Sequence, residues 1–463
     1  MSFNSIFFIF TFLPCILILY YVVPTTFKNY VLLFISLCFY AWGNINTMLF
    51  LLFFILLNYY FGLRIEAGVG KHRKTRILEG IIVNVVVLAY FKYYGFFLDT
   101  LFSFFPKAPS YELFPIPLGI SFFVFQIIAY LIDVYNKRMK AEHNLINLAL
   151  FISFFPKLIM GPIERYGNFA KQIKNHPTNF ELIEKGCGKF MVGLAQKVIL
   201  ANTLAQVWLT CAKGNISMIS AWLGILAFSL QLYFDFQGYT QMAIGLGNMF
   251  GFELSENFNY PYLAKSISDF WRRWHMTLSS WFRDYVYIPL GGNRCRIRRQ
   301  IFNILVVWGL TGLWHGANWN FIVWGLYYGG LLLLEKYVFN KRIESIHPFI
   351  RHVVTLLLIM IGWVFFASEN LAVALGYLGS LCMMRGNAFI DSTSIVILRD
   401  YGFYFIVAMI ACTSIGKNIM VKMSSALKSE LWYLKPIATA CFFLLMIAFL
   451  MSDTYQSFLY FKF

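Results

Sequence analysis

Residues 301–334 read IFNILVVWGLTGLWHGANWNFIVWGLYYGGLLLL, and the reading of this stretch decides the fold. It contains no Asp, Glu, Lys or Arg, and its one histidine is His315. The apolar runs near 300–313 and 319–338 read as two membrane spans joined at that histidine. Gly312 and Gly316 flank it and allow either a broken helix or a close backbone approach. An ionisable group at membrane depth costs about 2.5–3.5 kcal/mol even on the milder insertion scales, so it tends to face a cavity and carry a function. A neutral imidazole takes up and returns a proton near pH 7, which suits a general base. The plainer reading is a histidine at the outer interface or hydrogen-bonded inside a bundle. Trp314 stands next to it, and Asn318 and Asn320 are polar neighbours suited to orienting an acyl oxygen or to lining an aqueous entry.

The rest of the chain agrees with a membrane setting. Of 463 residues, 59% are hydrophobic, 20% are aromatic and only 13% are charged. That is half the charge of an ordinary soluble domain, too little to coat a soluble surface and too apolar for disorder. The net charge of +17 reads as topology and contact with anionic lipid, not as nucleic-acid binding. The eight cysteines are scattered through apolar runs with no C-x-x-C pair, so neither a disulfide framework nor a metal site is expected. No Lys or Arg precedes Lys28, so residues 5–23 read as a retained first span rather than a cleaved leader.

The expected fold is an all-α integral membrane protein with about 11–12 transmembrane helices. Further spans are expected near 5–23, 29–43, 46–63, 77–98, 115–135, 187–209, 218–240, 350–367, 400–416 and 434–451. Residues 145–160 are interrupted by Pro156, Lys157 and Gly161-Pro162 and read as a re-entrant or broken helix. Basic clusters at 64–76, 137–140, 262–299, 341–342 and 417–435 all fall on one side when the spans are threaded, which puts both termini outside the cytoplasm. No internal repeat is visible, so 1–463 reads as a single polytopic domain with its core at 115–367.

The longest non-spanning stretch is 241–299, and its cytoplasmic part 252–299 contains SISDFWRRWHMTLSSWFRDY (266–285). A helix capped by Ser268 or Asp269 is expected to start at Phe270. Its apolar stripe is Phe270, Trp271, Trp274, Leu278, Trp281, Phe282 and Tyr285; its polar stripe is Arg272, His275, Ser279 and Arg283. An interfacial anchor explains the tryptophans and arginines. His275 and the adjacent Arg283-Asp284 pair exceed what an anchor needs, and Asp269, Arg272, Arg273, Arg283 and Asp284 equally suit the bracing of a site. Asp235 and Gln237 sit in the apolar segment SLQLYFDFQGYTQ (229–241), where Asp235 is expected to pair with an arginine of 252–299 or to contact substrate directly. Glu164 and Arg165 are candidates for a cytoplasmic mouth. Gly245, Gly247 and Gly251 follow a span instead of a strand and do not form a dinucleotide loop. No G-x-S-x-G, H-E-x-x-H or P-loop occurs.

FFPKLIMGPIERY (154–166), LYFDFQGYTQMAIGLGNMFGF (232–252), NFNYPYLAKSISDFWRRWHMTLSSWFRDYVYIPLGGNR (257–294) and LTGLWHGANWNFIVWGLYYG (310–329) resemble the membrane-bound O-acyltransferase family. The likeness is to its bacterial branch that O-acetylates alginate and peptidoglycan, with teichoic acid D-alanylation more distant. The resemblance implies a helical bundle around a central tunnel in the bacterial inner membrane. It implies no bound cofactor, acetyl-CoA as cytosolic donor substrate and acetyl transfer to a wall or exported polysaccharide, peptidoglycan before alginate. D-alanyl transfer is the alternative within the family; a transporter or flippase is the alternative outside it and predicts inverted repeats. His315 matches the family's essential membrane histidine and His275 its second recurrent one. Arg272, Arg273, Arg283, Asp284, Trp274, Asp235, Gln237, Trp314 and Asn318 are the expected substrate contacts. The ending SFLYFKF (457–463) matches an F-x-Y-x-x-F tail linked to acyl relay, with Phe458, Tyr460 and Phe463 at that spacing and Tyr460 as acyl acceptor; its plain reading is an interfacial aromatic belt. An extracytoplasmic serine-esterase-like protein is the implied partner for the last transfer.

Overall fold

The computed structural model describes residues 1–102, 104, 114–174, 179–212, 216–339, 344–416, 418 and 434–452. Phe458, Tyr460 and Phe463, and the basic residues Lys341, Arg342, Lys417, Lys422 and Lys428, lie outside the described residues. The described chain is helical, with no β-strand among the described residues. Six helices are long and apolar enough to cross a membrane: Ile45–Glu66, Gly70–Phe102, Phe180–Cys211, Met218–Met249, Pro348–Ala367 and Ser392–Ala411. Shorter apolar helices cover Phe8–Val22, Thr25–Ala41, Ile120–Tyr135, Leu371–Leu381 and Pro436–Ser452. The protein is an all-α, multi-pass membrane protein. The short helix Leu371–Leu381 was not expected from the sequence; it starts on Asn370, whose side chain accepts from Val373 N–H.

The chain forms two compact units, each assembled from separate stretches. The first comprises Met1–Phe190, Tyr239–Glu256 and Ser280–Val286. Asn44 and Asn144 cap the helices Ile45–Glu66 and Leu145–Ser153. Asn84 donates to Asn58 at 2.7 Å, a buried polar link between two spans. The expected interruption at 145–160 is present: Leu145–Ser153 stops at Phe154 and Phe155–Leu158 follows. A break at membrane depth frees carbonyls that lipid cannot satisfy. Lys157 meets this need, since its buried ammonium donates to Phe151 O and Gln126 Oε1 and lies 4.2 Å from the Phe151 ring centre. Gly119 (φ +77°) lets the chain pass the broken segment, where a Cβ would stand 2.4 Å from Leu158 O.

The second unit comprises Met191–Gly238, Asn257–Ser279 and Tyr287–Phe463. Its centre is a hairpin of Ile297–His315 and Trp319–Leu333. A Cβ on Gly312 would lie 2.4 Å from Phe321 O, and one on Gly325 would lie 2.4 Å from Trp308 O. The two helices therefore touch backbone to backbone, the small-residue packing that replaces the hydrophobic drive inside a bilayer. The glycines beside His315 thus serve close approach.

The segment 266–285 departs from expectation. Its cap is Ser266, which accepts from Asp269 N–H, not Ser268 or Asp269. The single helix expected from the stripe is two: Ile267–Arg273 and Met276–Phe282, with a π-turn at Arg283–Tyr287. The break falls at Trp274, which is extended, and His275, which is left-handed at φ +43°. For a residue with a Cβ this conformation costs about 1–2 kcal/mol. It is held by Met276 N–H donating to Asn257 O (2.9 Å) and Asn259 N–H donating to Arg273 O (3.0 Å). The break turns His275 off the polar stripe into the interior, while Arg272 on the same expected stripe stays exposed.

Candidate active site

His315 ends the helix Ile297–His315 and is buried. Three rings wall its imidazole edge-on: Trp314 and Trp324 at 4.9 Å and Phe366 at 5.1 Å between ring centres. Trp324 in turn lies 6.1 Å from Trp363, and Trp363 lies 5.1 Å from Trp274.

His275 belongs to the same unit and reaches the same wall. Its ring is 6.0 Å from Trp314 and 4.8 Å from Phe236. Its Nδ1 is 2.9 Å from Asn257 Oδ1, which also accepts from Thr277 Oγ1 (2.9 Å) and Thr277 N–H (3.3 Å). The backbone N–H can only donate, so the Asn257 atom facing it is the oxygen. The proton between Asn257 and His275 must then sit on Nδ1, which leaves Nε2 as the basic nitrogen of a neutral ring. His275 lies outside the spanning helices, and burial lowers its pKa to about 3, so the ring is neutral at physiological pH. Asn257 was not singled out from the sequence, although it stands in the quoted stretch NFNYPYL; a buried Asn among aromatics ahead of a left-handed Tyr260 (φ +46°) was the available signal.

The remaining candidates divide. Trp314 and Trp274 are buried in the ring cluster of the two histidines. Asp235 does not pair with an arginine of 252–299: its Oδ1 accepts from Lys197 Nζ at 2.5 Å, with both side chains fully buried. Two facing helices of this unit supply the two charges, so the neutralising cation comes from a span and not from the cytoplasmic stretch. Gln237 is buried two residues on, in Met218–Met249. Asn318 precedes Trp319–Leu333 and donates to Glu369 O at 2.9 Å. Arg272 and Arg273 both approach Asp269, at 3.7 and 3.0 Å, with Arg272 largely exposed.

Arg283 and Asp284 fall in the first unit. There Asp284 accepts from Arg283 Nε (2.8 Å) and Arg165 Nη2 (3.1 Å), and Arg165 lies 4.3 Å over the Tyr285 ring. Tyr285 donates to Asp133 at 2.8 Å, and Arg138 pairs with the same carboxylate at 2.9 Å. The result is an alternating chain of basic and acidic groups. Glu164 accepts from Ser255 N–H and lines an open cavity of about 380 Å³ with Asn168, Gln172, Leu182 and Glu253.

Fold and site together define a multi-pass membrane protein with two buried histidines on one aromatic wall. The sequence profile of the membrane-bound O-acyltransferase family matches residues 133–342. A probable alginate O-acetylase of Azotobacter vinelandii is 44% identical over 384 residues, 81% of this chain and 76% of the relative. A peptidoglycan O-acetyltransferase of Helicobacter pylori is 37% identical over 424 residues, 83% of this chain and 80% of the relative. A teichoic acid D-alanyltransferase of Bacillus subtilis is 33% identical over 252 residues, 51% of this chain and 63% of the relative. The chain belongs to the membrane-bound O-acyltransferase family and is an acyltransferase.

Proposed function

We propose that this enzyme transfers acetyl from cytosolic acetyl-CoA to a hydroxyl of a wall or exported polysaccharide. The observation that carries the reading is His315, a base buried at a helix end between Trp314, Trp324 and Phe366. His315 takes the proton of the attacking hydroxyl as oxygen bonds to the thioester carbon. The C–S bond then breaks, and the imidazolium returns the proton to the departing thiolate. His275, neutral and fixed in tautomer, stands with its ring centre 6.0 Å from that of Trp314. Trp274, Gln237 and Asn318 are further candidate substrate contacts, and Arg272, Arg273 and Arg283 are basic groups suited to drawing in the acidic donor.

Acetyl is preferred to D-alanyl because the O-acetylating relatives match over four-fifths of the chain and the D-alanylating one over half. In this reading the protein lies in the bacterial inner membrane with both termini outside. The donor enters a tunnel from the cytosol, the attacking hydroxyl at His315 is that of Tyr460, which carries the acyl group onward, and a serine-esterase-like partner passes it to the polysaccharide. The test is His315→Ala in cells and in membranes supplied with labelled acetyl-CoA and the partner. Loss of both CoA release and polysaccharide O-acetyl ester is expected. Undiminished transfer would remove His315 from the chemistry, and mass spectrometry of the acetylated product, alginate-like or peptidoglycan, identifies the acceptor.

A further inference from the structure

Buried indole N–H groups normally find an acceptor, because an unsatisfied buried donor costs about 1–3 kcal/mol. The buried Trp281 obeys the rule, donating to Phe125 O at 2.8 Å, and even the half-buried Trp222 donates to Leu381 O at 3.2 Å. Around His315 the rule fails. Trp324 and Trp363 are each 1% exposed, yet neither indole nitrogen has a hydrogen-bond partner among the described residues. Trp271, half-buried with its ring centre 5.7 Å from Trp324, also has a buried indole nitrogen with no hydrogen-bond partner among the described residues. Three such donors in one connected ring cluster, one ring of which stands 4.9 Å from the His315 ring, call for an acceptor that the described residues do not supply.

The glycines keep this cluster in place. Trp324 is next to Gly325, which packs on Trp308 O, so the indole is carried by the tightest part of the hairpin. Trp363 stacks on Trp324 with an interplanar angle of 21°. Neither ring can turn its N–H to solvent without unpacking its neighbours.

We propose that Trp324 and Trp363 donate their indole N–H groups to the carbonyl oxygen of the acyl thioester bound at His315. This rests on the thioester reading given above. As the hydroxyl adds to the carbonyl carbon, negative charge builds on that oxygen, and donors already fixed in an apolar surround stabilise it without reorganising. The tryptophans thus complement His315: it handles the proton, they handle the oxyanion. Their apolar faces exclude the water that would hydrolyse the thioester.

The experiment uses the full-length protein in detergent or nanodiscs, with Trp324→Phe and Trp363→Phe, which keep an aromatic ring and remove the donor. Each is expected to lower kcat by about 100-fold with little change in KM for acetyl-CoA. Binding is read with two unreactive probes: acetyldethia-CoA, which keeps the carbonyl, and S-ethyl-CoA, which lacks it. The preference for the first over the second should fall by about fivefold, the size of one hydrogen bond, in each variant. The ratio is insensitive to partial unfolding, which weakens both probes alike. An unchanged ratio with wild-type kcat overturns the assignment. Failure of the wild-type protein to bind either probe overturns the CoA-thioester reading, and this assignment with it.

Discussion

The two histidines reach one wall by opposite routes. His315 stands at the end of a regular helix, in a hairpin closed by Gly312 and Gly325, and rings confine it on three sides. His275 stands at a break, with a strained backbone at φ +43°, and a hydrogen-bond set centred on Asn257 confines it. Packing by rings sets where the His315 imidazole sits, and the Asn257 hydrogen bond sets which nitrogen of His275 carries the proton.

That contrast can be broken by experiment. His315→Ala should cost about 100- to 10,000-fold in turnover, the span of a lost general base, and His275→Ala markedly less; equal losses measured side by side would erase the distinction. Lys197→Leu tests the support behind His275, because Lys197 pairs with Asp235, the residue before Phe236. Removing the cation that Asp235 accepts from in the buried interior should lower stability by about 3–5 kcal/mol, seen as a drop in thermal unfolding temperature in detergent. The double variant Lys197→Leu/Asp235→Leu should recover most of it, and no recovery would mean that packing, not charge, was lost.

Asn257→Ala should lower kcat about tenfold, one hydrogen bond of alignment. Asn257→Asp is more informative in its pH profile. A carboxylate on Nδ1–H stabilises the imidazolium and raises the pKa of His275 from about 3 towards neutrality. Activity of the Asp variant should then fall as pH drops through that raised value, while the wild type shows no such limb from His275. The smallest effect is expected at the surface: Arg272→Ala should change KM for acetyl-CoA by only a few-fold, and the change should vanish at high salt, since Arg272 is exposed.

Much of this was legible in the chain. The apolar runs marked the helices, the interruption at Pro156 marked the broken one, and the lone histidine in 301–334 marked the buried ring that Trp314, Trp324 and Phe366 wall. The missed features share a cause. Period-3.6 patterning carried one helix through 270–285, because Trp274 and His275 fit the stripe; the break depends on backbone groups of Asn257 and Asn259, distant in sequence. Asp235 was matched to the nearest dense run of arginines, whereas the buried Lys197, inside an apolar run, is its partner.

The sequence by itself determined that this is a polytopic helical membrane protein of the O-acyltransferase family, because apolar length, scarcity of charge and local motifs are one-dimensional properties. Only the tertiary structure decided which tautomer His275 holds, which cation neutralises Asp235 and which tryptophans wall His315. Those outcomes depend on donors and acceptors brought together from remote segments, in an interior where an unmatched polar group is too costly to leave to chance.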